Sequence, residues 1–518
     1  MNATNLIILI YQVIVILAII HVVMDNRQPA KTMVWALIIY FVPVIGIVAY
    51  LFFGVNTRRE RLVSRRSLDQ LSRRSMFKFA EQRDLNLPEA HKPLIDLFVN
   101  QSFSLPFSDS KVSLFTNGYD FFMQLLRDIA AAKHHIHIDI YIFEDDSLGR
   151  LVADALIDRA RHGVEVRIIY DDVGCWNVKN RFYERMRMEG IEVVPFLPVR
   201  FPQFTSKANY RNHRKLIVID GLTGYIGGMN IALRYLGERK KQRGKRKKGV
   251  YYAGRLWRDT MARIEGKGVY TLQRAFLIDW YFVDRTLLSD KKYYGASPAP
   301  FEGEKRLSHE ESAQTSPPSE KQQVGKLRPE TESGESILLQ TITSGPSVPE
   351  PEILQGFLHI ILNARRYIFI ETPYFLPTAT LLFALKTAAA TGIDVRLLVP
   401  LHGDTWLTTW ASRSYLREVA EAGIKVSLYK PGFLHSKLMV CDDTVCTCGS
   451  TNMDIRSLEN NFEANTFFYG TEVAVNMRDI YLDDERQSVL FTDLPDRMKP
   501  SFTTRLWESF TRILSPLL

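Results

Sequence analysis

Two histidines, each with a lysine two residues on, carry the chemistry of this chain. His213 and Lys215 open the run HRKLIVID, which ends at Asp220 and continues to Gly227, Gly228 and Asn230. His435 and Lys437 open HSKLMVCD, which ends at Asp442 and continues to Gly449, Ser450 and Asn452. The spacing is the same in both: His, two on to Lys, five more to Asp, seven more to a small pair, then Asn. A single His-x-Lys is common by chance, whereas two copies with the same ending are a strong signal. Imidazole titrates near ~6.5, so a small bias keeps one ring neutral and the other charged near pH 7. A neutral ring can attack phosphorus and a protonated one can hand its proton to the departing alkoxide. Lys215, Lys437, Asn230 and Asn452 would then stabilise the phosphoryl oxygens. This suits attack on a phosphodiester. Two imidazoles and two ammoniums around the phosphate leave no need for a metal or cofactor.

The elements that must position these groups follow from the apolar, β-branched run after each His-x-Lys, which predicts a buried strand. Side chains alternate along a strand, so His and Lys two apart share a face. Asp220 and Asp442, counted with the catalytic set by the motif, fall where a carboxylate braces the strand end. Two further acids are candidates for orienting the imidazoles. Glu463 lies 28 residues after His435, and Glu265 lies 52 after His213, the excess of 24 spanning a basic segment. Each is expected to accept a hydrogen bond from a motif histidine, fixing its tautomer.

The flanking chain is also duplicated. HHIHIDIYIFEDD and RRYIFIETPYFLP predict equivalent strands, HGVEVRIIYDD and TGIDVRLLVP the next pair, and MEGIEVVPF and EAGIKVSLY a third. Helices are predicted from Leu148 to His162 and from Leu381 to Thr391. The fold class is therefore α/β, with two duplicated α/β domains forming one pseudo-symmetric body whose motif strands should be adjacent. His135 and His137 read as part of a structural strand, since no matching ligand set for a metal is apparent.

Composition bounds the rest. The chain has 518 residues and a net charge of +9, of which the segment Arg239 to Lys248 supplies eight basic residues in ten. That run reads equally as a solvated loop or as a grip on anionic phospholipid; nucleic acid is not the expected partner, because no aromatic residues interleave it. Four cysteines, Cys175, Cys441, Cys446 and Cys448, show no zinc or disulfide framework and predict reduced thiols. Leu6 to Val23 and Thr32 to Phe53 are apolar runs long enough to cross roughly 30 Å of hydrocarbon, with Pro43 and Gly46 as kink points in the second. Arginines 58, 59, 61, 65, 66, 73 and 74 follow, which places the catalytic body in the cytoplasm by the positive-inside rule. The expected organisation is a transmembrane hairpin (1–57), a juxtamembrane helical segment (58–107), a first domain (108–288) with a basic insertion (237–249), a disordered linker (289–336), a second domain (337–492) and a C-terminal amphipathic helix (493–518). In that helix Phe502, Leu506, Phe510, Ile513, Leu514 and Leu517 recur at helical spacing. Packing on the second domain is favoured over lying at the membrane interface.

At the duplicated His-Lys-Asp pattern the chain resembles the phospholipase D superfamily. It is similar to bacterial cardiolipin synthases over nearly its whole length, at the hairpin, Asn212-His213-Arg214-Lys215, Trp257-Arg258-Asp259, Arg263-Ile264-Glu265-Gly266, Ser344-Gly345-Pro346, Thr372-Pro373-Tyr374-Phe375, Leu434-His435-Ser436-Lys437 and Asn461-Phe462-Glu463. It departs in the basic insertion, the linker and Met261, where that family usually has His. The resemblance implies two phospholipase D-type domains and a phosphatidyl-histidine intermediate. It implies phosphatidylglycerol as substrate with anionic lipid around it, glycerol as product, and a multi-pass location in the bacterial inner membrane. His213 is weakly favoured as nucleophile and His435 as acid/base. A phospholipase D that uses water shares every catalytic residue, a membrane-tethered nuclease is a further alternative, and a non-enzymatic lipid-binding protein is disfavoured by two intact motifs.

Overall fold

The computed structural model describes residues 3–25, 29–54, 87–199, 210–237, 256–295, 336–346 and 350–513, with a few isolated positions besides. The basic insertion beyond Gly237, most of 58–86 in the expected juxtamembrane segment and most of the expected linker lie outside the described residues, while the end of the juxtamembrane segment is helical at Lys92–Ser102.

At the N-terminus the helix Ala3–Asp25 is followed by Pro29–Phe41 and Pro43–Phe53. The second apolar run is thus broken at Val42, where Pro43 occupies the first turn of the next helix and cannot donate to the preceding one. Val22, Ile39 and Tyr50 pack together, while Leu17, Phe41 and Val44 are among many apolar side chains left exposed. Among the described residues no helix is long and apolar enough to cross a membrane, so the expected two-span hairpin is not established.

The body is one continuous sheet with a twofold repeat. From one edge its strands run Glu192–Phe196, Glu165–Asp171, His135–Ile140, Lys215–Ile219, Thr223–Gly227, Met261–Gly266 and Phe107–Phe115. The second half repeats this outward from the centre: Ile337–Ser344, Glu463–Tyr469, Val445–Gly449, Leu438–Cys441, Tyr367–Glu371, Asp394–Pro400 and Lys425–Tyr429, with Ser488–Leu490 added at the far edge. The halves join where Phe107–Phe115 pairs antiparallel with Ile337–Ser344. The motif strands Lys215–Ile219 and Leu438–Cys441 are not adjacent, contrary to expectation, because six strands separate them in the sheet order.

Alternation explains how the motif residues still meet. Leu216 and Val218 face one core while Ile217 and Ile219 face another. Leu438 and Val440 face that same first core, and Met439 and Cys441 the opposite side. The inner faces of the two half-sheets therefore pack on a shared core, completed by the helices Val269–Asp284 and Thr471–Arg486. Outer helices cover the other faces, and their starts are capped: Asn117, Asp146 and Thr378 each accept a backbone N–H of the following helix. The first half continues past Ser289, the expected start of the linker: the turn Lys291–Tyr294 buries Tyr293 and Tyr294 in the shared core.

The C-terminal helix Phe502–Ile513 packs on Trp406–Glu421, but with its polar face. Glu508 and Thr511 are buried, whereas Phe502, Leu506, Phe510 and Ile513 point outward, so the expected packing of its apolar stripe on the domain is not what holds it. Leu514 and Leu517 lie outside the described residues.

Candidate active site

Each motif histidine sits just ahead of its strand, and each is held from the other half of the molecule. His213 N–H donates to the Phe462 carbonyl (2.9 Å), and Phe462 N–H donates to the Arg211 carbonyl (2.9 Å). His435 N–H donates to the Arg258 carbonyl (2.7 Å), and Gly432–Leu434 pairs as a parallel strand with Leu256–Arg258. These cross-links bring a carboxylate of the opposite half to each ring. His213 Nδ1 lies 3.0 Å from Glu463 Oε1, and His435 Nδ1 lies 2.7 Å from Asp259 Oδ2. The pairing is reciprocal, so neither half alone holds an oriented histidine.

Glu463 is thus where the sequence predicted, but Glu265 is not. Its side chain is 39% exposed and pairs with Arg263 on the sheet surface, and the carboxylate that reaches His435 belongs to Asp259. The signal was present: Asp259 stands seven residues before Gly266, which ends its strand, and Glu463 stands seven before Gly470. Counting from the histidines across a basic segment of unknown length chose the wrong acid.

The small pairs have a specific use. A Cβ at Gly228 would meet Asp259 Oδ1 at 2.1 Å, so only glycine lets the carboxylate approach. At the equivalent position of the second half, Ser450 Oγ instead donates to Glu463. Asn461 Nδ2 adds a bond to the same carboxylate at 3.3 Å.

Asp220 and Asp442 lie at the other end of their strands, away from the imidazoles, which corrects their place in the catalytic set. Both adopt positive φ and accept backbone N–H groups from the chain entering the neighbouring strand. Asp220 takes those of Lys133, His134 and His135, and Asp442 those of Arg365, Arg366 and Tyr367, at 2.7–3.0 Å. They brace the strand ends.

Asn230 is buried and committed: its Oδ1 accepts the Ile142 N–H (3.1 Å) and its amide donates to Tyr235 Oη (2.8 Å). Asn452 is buried at the equivalent place in the second half. Tyr141 meets His213 edge-on at 4.9 Å between ring centres, and Trp257 lies against His435 at 5.1 Å. These aromatic walls were not anticipated as site residues. His135 and His137 are buried and both bond Gln273, and His137 stacks on Phe276. Met261 is buried beneath Gly227.

Electrostatics separate the two pairs. Burial lowers His213 to about 4, against the pull of Glu463 and with the push of Lys215. Burial would raise Glu463, but His213, Lys215 and Ser450 outweigh it and hold the carboxyl below its usual value. The result is a neutral imidazole that donates Nδ1–H to an ionised carboxylate and keeps its Nε2 lone pair. Asp259, in contrast, is pushed up to about 6 by burial, opposed by Lys437 and others. Burial, then Lys437, Lys215 and His213, hold His435 well below its usual value. Its Nδ1 is also 2.9 Å from Lys437 Nζ, so ammonium and carboxylate share that edge. Burial brings Lys215 to about 7 and Lys437 to about 8. The bonds between the halves bring both histidines and both lysines to the seam, a cluster of buried basic groups that suits an anion. Among the described residues no cluster of His, Cys, Asp and Glu could hold a metal ion.

The family described as "Cardiolipin synthase, PLD-like domain" matches residues 125–241 and 357–484, one copy per half, and "Phospholipase_D-nuclease N-terminal" matches residues 13–54. A cardiolipin synthase of Geobacillus kaustophilus is 36% identical over 500 residues, covering 96% of this chain and 90% of the relative. The major cardiolipin synthase ClsA of Bacillus subtilis is 33% identical over 513 residues, covering 97% of each. A phosphatidylserine synthase from Haemophilus influenzae shares the fold, with a TM-score of 0.54 at 14% identity over 79% of this chain and 95% of its own. With relatives this similar over almost their whole length, the chain belongs to the cardiolipin synthase family of the phospholipase D superfamily, a family of phosphatidyltransferases.

Proposed function

We propose that this chain makes cardiolipin from two molecules of phosphatidylglycerol, through a phosphatidyl group carried on His213. The observation that supports this most is the reciprocal pairing of His213 with Glu463 and of His435 with Asp259 across the two halves. Glu463, held ionised, makes His213 the more basic ring and leaves its Nε2 as the nucleophile. Nε2 forms a bond to phosphorus while the bond from phosphorus to the glycerol oxygen breaks. His435, carrying a proton, gives it to that oxygen, and glycerol leaves. Now neutral, His435 takes a proton from a glycerol hydroxyl of the second phosphatidylglycerol. That oxygen attacks phosphorus, the P–N bond breaks, and cardiolipin leaves with His213 restored.

Burial, and after it the neighbouring Lys437 and Lys215, depress His435. A phosphodiester brings the compensating negative charge, which favours the protonated forms of His435, Lys215 and Lys437. The lysines then stabilise the charge that grows on the equatorial oxygens. Asp259 and Glu463 act as positioning residues, and Asp220 and Asp442 as braces.

The same reading places the protein at the bacterial cell membrane, anchored by its N-terminal helices with the catalytic halves on the cytoplasmic side. The apolar runs, the arginines that follow Phe53 and the family match at 13–54 support it.

The test is product analysis with full-length protein in detergent and labelled phosphatidylglycerol. One glycerol released per cardiolipin, lost in both His213→Ala and His435→Ala, is expected. Phosphatidic acid as the sole product would make the enzyme a hydrolase instead.

A further inference from the structure

The geometry points to the outward face of the C-terminal helix Phe502–Ile513, with Trp406 beside it, as a surface that enters an anionic phospholipid leaflet and sets the mouth of the active site against it. This rests on the reading of phospholipid as substrate and adds a docking surface to it.

The helix is amphipathic with its faces reversed. Glu508, its only acid, is 1% exposed and bonds Arg417 at 2.5 Å, and Arg512 reaches Glu418 at 2.7 Å. These polar contacts, the first buried and the second partly exposed, fix the helix on Trp406–Glu421. They leave Phe502 80%, Leu506 60%, Phe510 52% and Ile513 74% exposed. Large apolar side chains aligned outward on a rigidly held helix are costly in water and favourable at a lipid interface. Trp507 stacks between Phe510 (5.6 Å) and Trp406 (6.2 Å), giving the flat amphipathic rings that settle at headgroup level.

Two observations favour a leaflet over another protein. The first is charge. With Glu508 turned inward, the exposed face of the helix carries no acid, and its exposed charge is Arg505. That is complementary to anionic headgroups. The second is continuity with the cleft. Trp406 stands two residues after Asp404, which accepts a hydrogen bond from Tyr374 Oη. The Tyr374 ring is 6.4 Å from Phe433, and Phe433 is 5.7 Å from His435. The apolar surface is thus tied to the catalytic histidine through one short set of side chains, Asp404, Tyr374 and Phe433, so a leaflet touching the former lies on the same side of the fold as the latter.

Nitroxide depth measurement tests this on the full chain in phosphatidylglycerol vesicles. The four native cysteines are buried, so a label on Leu506→Cys or Phe510→Cys reacts selectively. The expected result is a label more accessible to oxygen than to a water-soluble nickel chelate at both positions. A label as open to nickel as in water overturns the proposal. So does dipolar broadening at high dilution in lipid, which would show a second copy covering the face. Turnover separates this from the assignment of function. Phe510→Glu is expected to lower turnover of vesicle phosphatidylglycerol by about tenfold relative to turnover of a soluble short-chain phosphatidylglycerol. An unchanged ratio also overturns it. If the wild type makes no cardiolipin from either substrate, the functional reading fails, while the nitroxide result still decides the docking surface.

Discussion

Replacing Asp259 by Asn while leaving Glu265 alone, and the reverse, separates the structure from the simplest reading of the motif. Asp259 Oδ2 accepts from His435 Nδ1 at 2.7 Å, fully buried, whereas Glu265 sits on the sheet surface with Arg263. A hydrogen bond to a charged group contributes about 1.5–3 kcal/mol. At ~1.36 kcal/mol per factor of ten, Asp259→Asn should cut kcat roughly 10- to 100-fold. KM should change little, because Asp259 orients His435 rather than gripping phosphate. Glu265→Gln should leave kcat within about twofold, since exposed ion pairs are worth ~0–1 kcal/mol. Stability supplies the control. Burial raises the Asp259 carboxyl from 3.8 to about 6, so its ionisation costs stability as pH climbs through that window. Asn avoids that cost, so at pH 8 the variant should melt no lower than wild type despite its lost activity. The assay is initial-rate cardiolipin formation beside a melting curve. Full activity in Asp259→Asn, or an equal loss in Glu265→Gln, would refute the assignment; a large drop in melting temperature would show that the effect is structural.

Three further outcomes follow from the geometry. Gly228→Ala places a Cβ 2.1 Å from Asp259 Oδ1 and should mimic Asp259→Asn in kcat; a normal rate would show that the carboxylate need not approach so closely. With burial bringing Lys215 to about 7 and Lys437 to about 8, binding an anionic headgroup should take up protons at pH 7–8. Calorimetry in buffers of different ionisation heat reads this directly, and affinity should fall as pH rises past 8. Burial raises Glu352 from 4.5 to about 7, so the native state binds more protons than the unfolded one between those values and loses stability across that window, by about 2–3 kcal/mol. Glu352→Gln should flatten the difference in melting temperature between pH 5 and pH 8, and an unchanged difference would remove Glu352 as its source.

Much of this architecture was legible because the apolar runs of the motif strands, and the strands and helices that flank them, are repeated. Strands with both faces buried read as apolar runs whose ends are marked by Asp220 and Asp442, and the duplication supplied a second reading of each element. What the sequence hid was the long-range geometry. The motif strands meet through a sheet folded over a common core rather than by pairing. The partner of each histidine comes from the other half, which no spacing within one half reveals. Asp259 was visible only by counting back from Gly266, a glycine whose φ of 101° marks the strand end. The C-terminal helix misled for a different reason: its apolar period was read correctly, but an amphipathic pattern does not say which face the protein buries. Arg417 and Glu418 decide that, and they lie far away in sequence.

Identifying the residue that carries the phosphatidyl group tests the account most directly. Full-length protein is mixed briefly with labelled phosphatidylglycerol and quenched in alkaline denaturant, because a P–N bond to imidazole is acid-labile. The labelled peptide is then mapped by mass spectrometry. The account predicts the label on His213, absent in His213→Ala and formed more slowly in Glu463→Gln. Label on His435 would reverse the roles of the two rings. Rapid cardiolipin formation with no label on either histidine would contradict transfer through a covalent intermediate altogether.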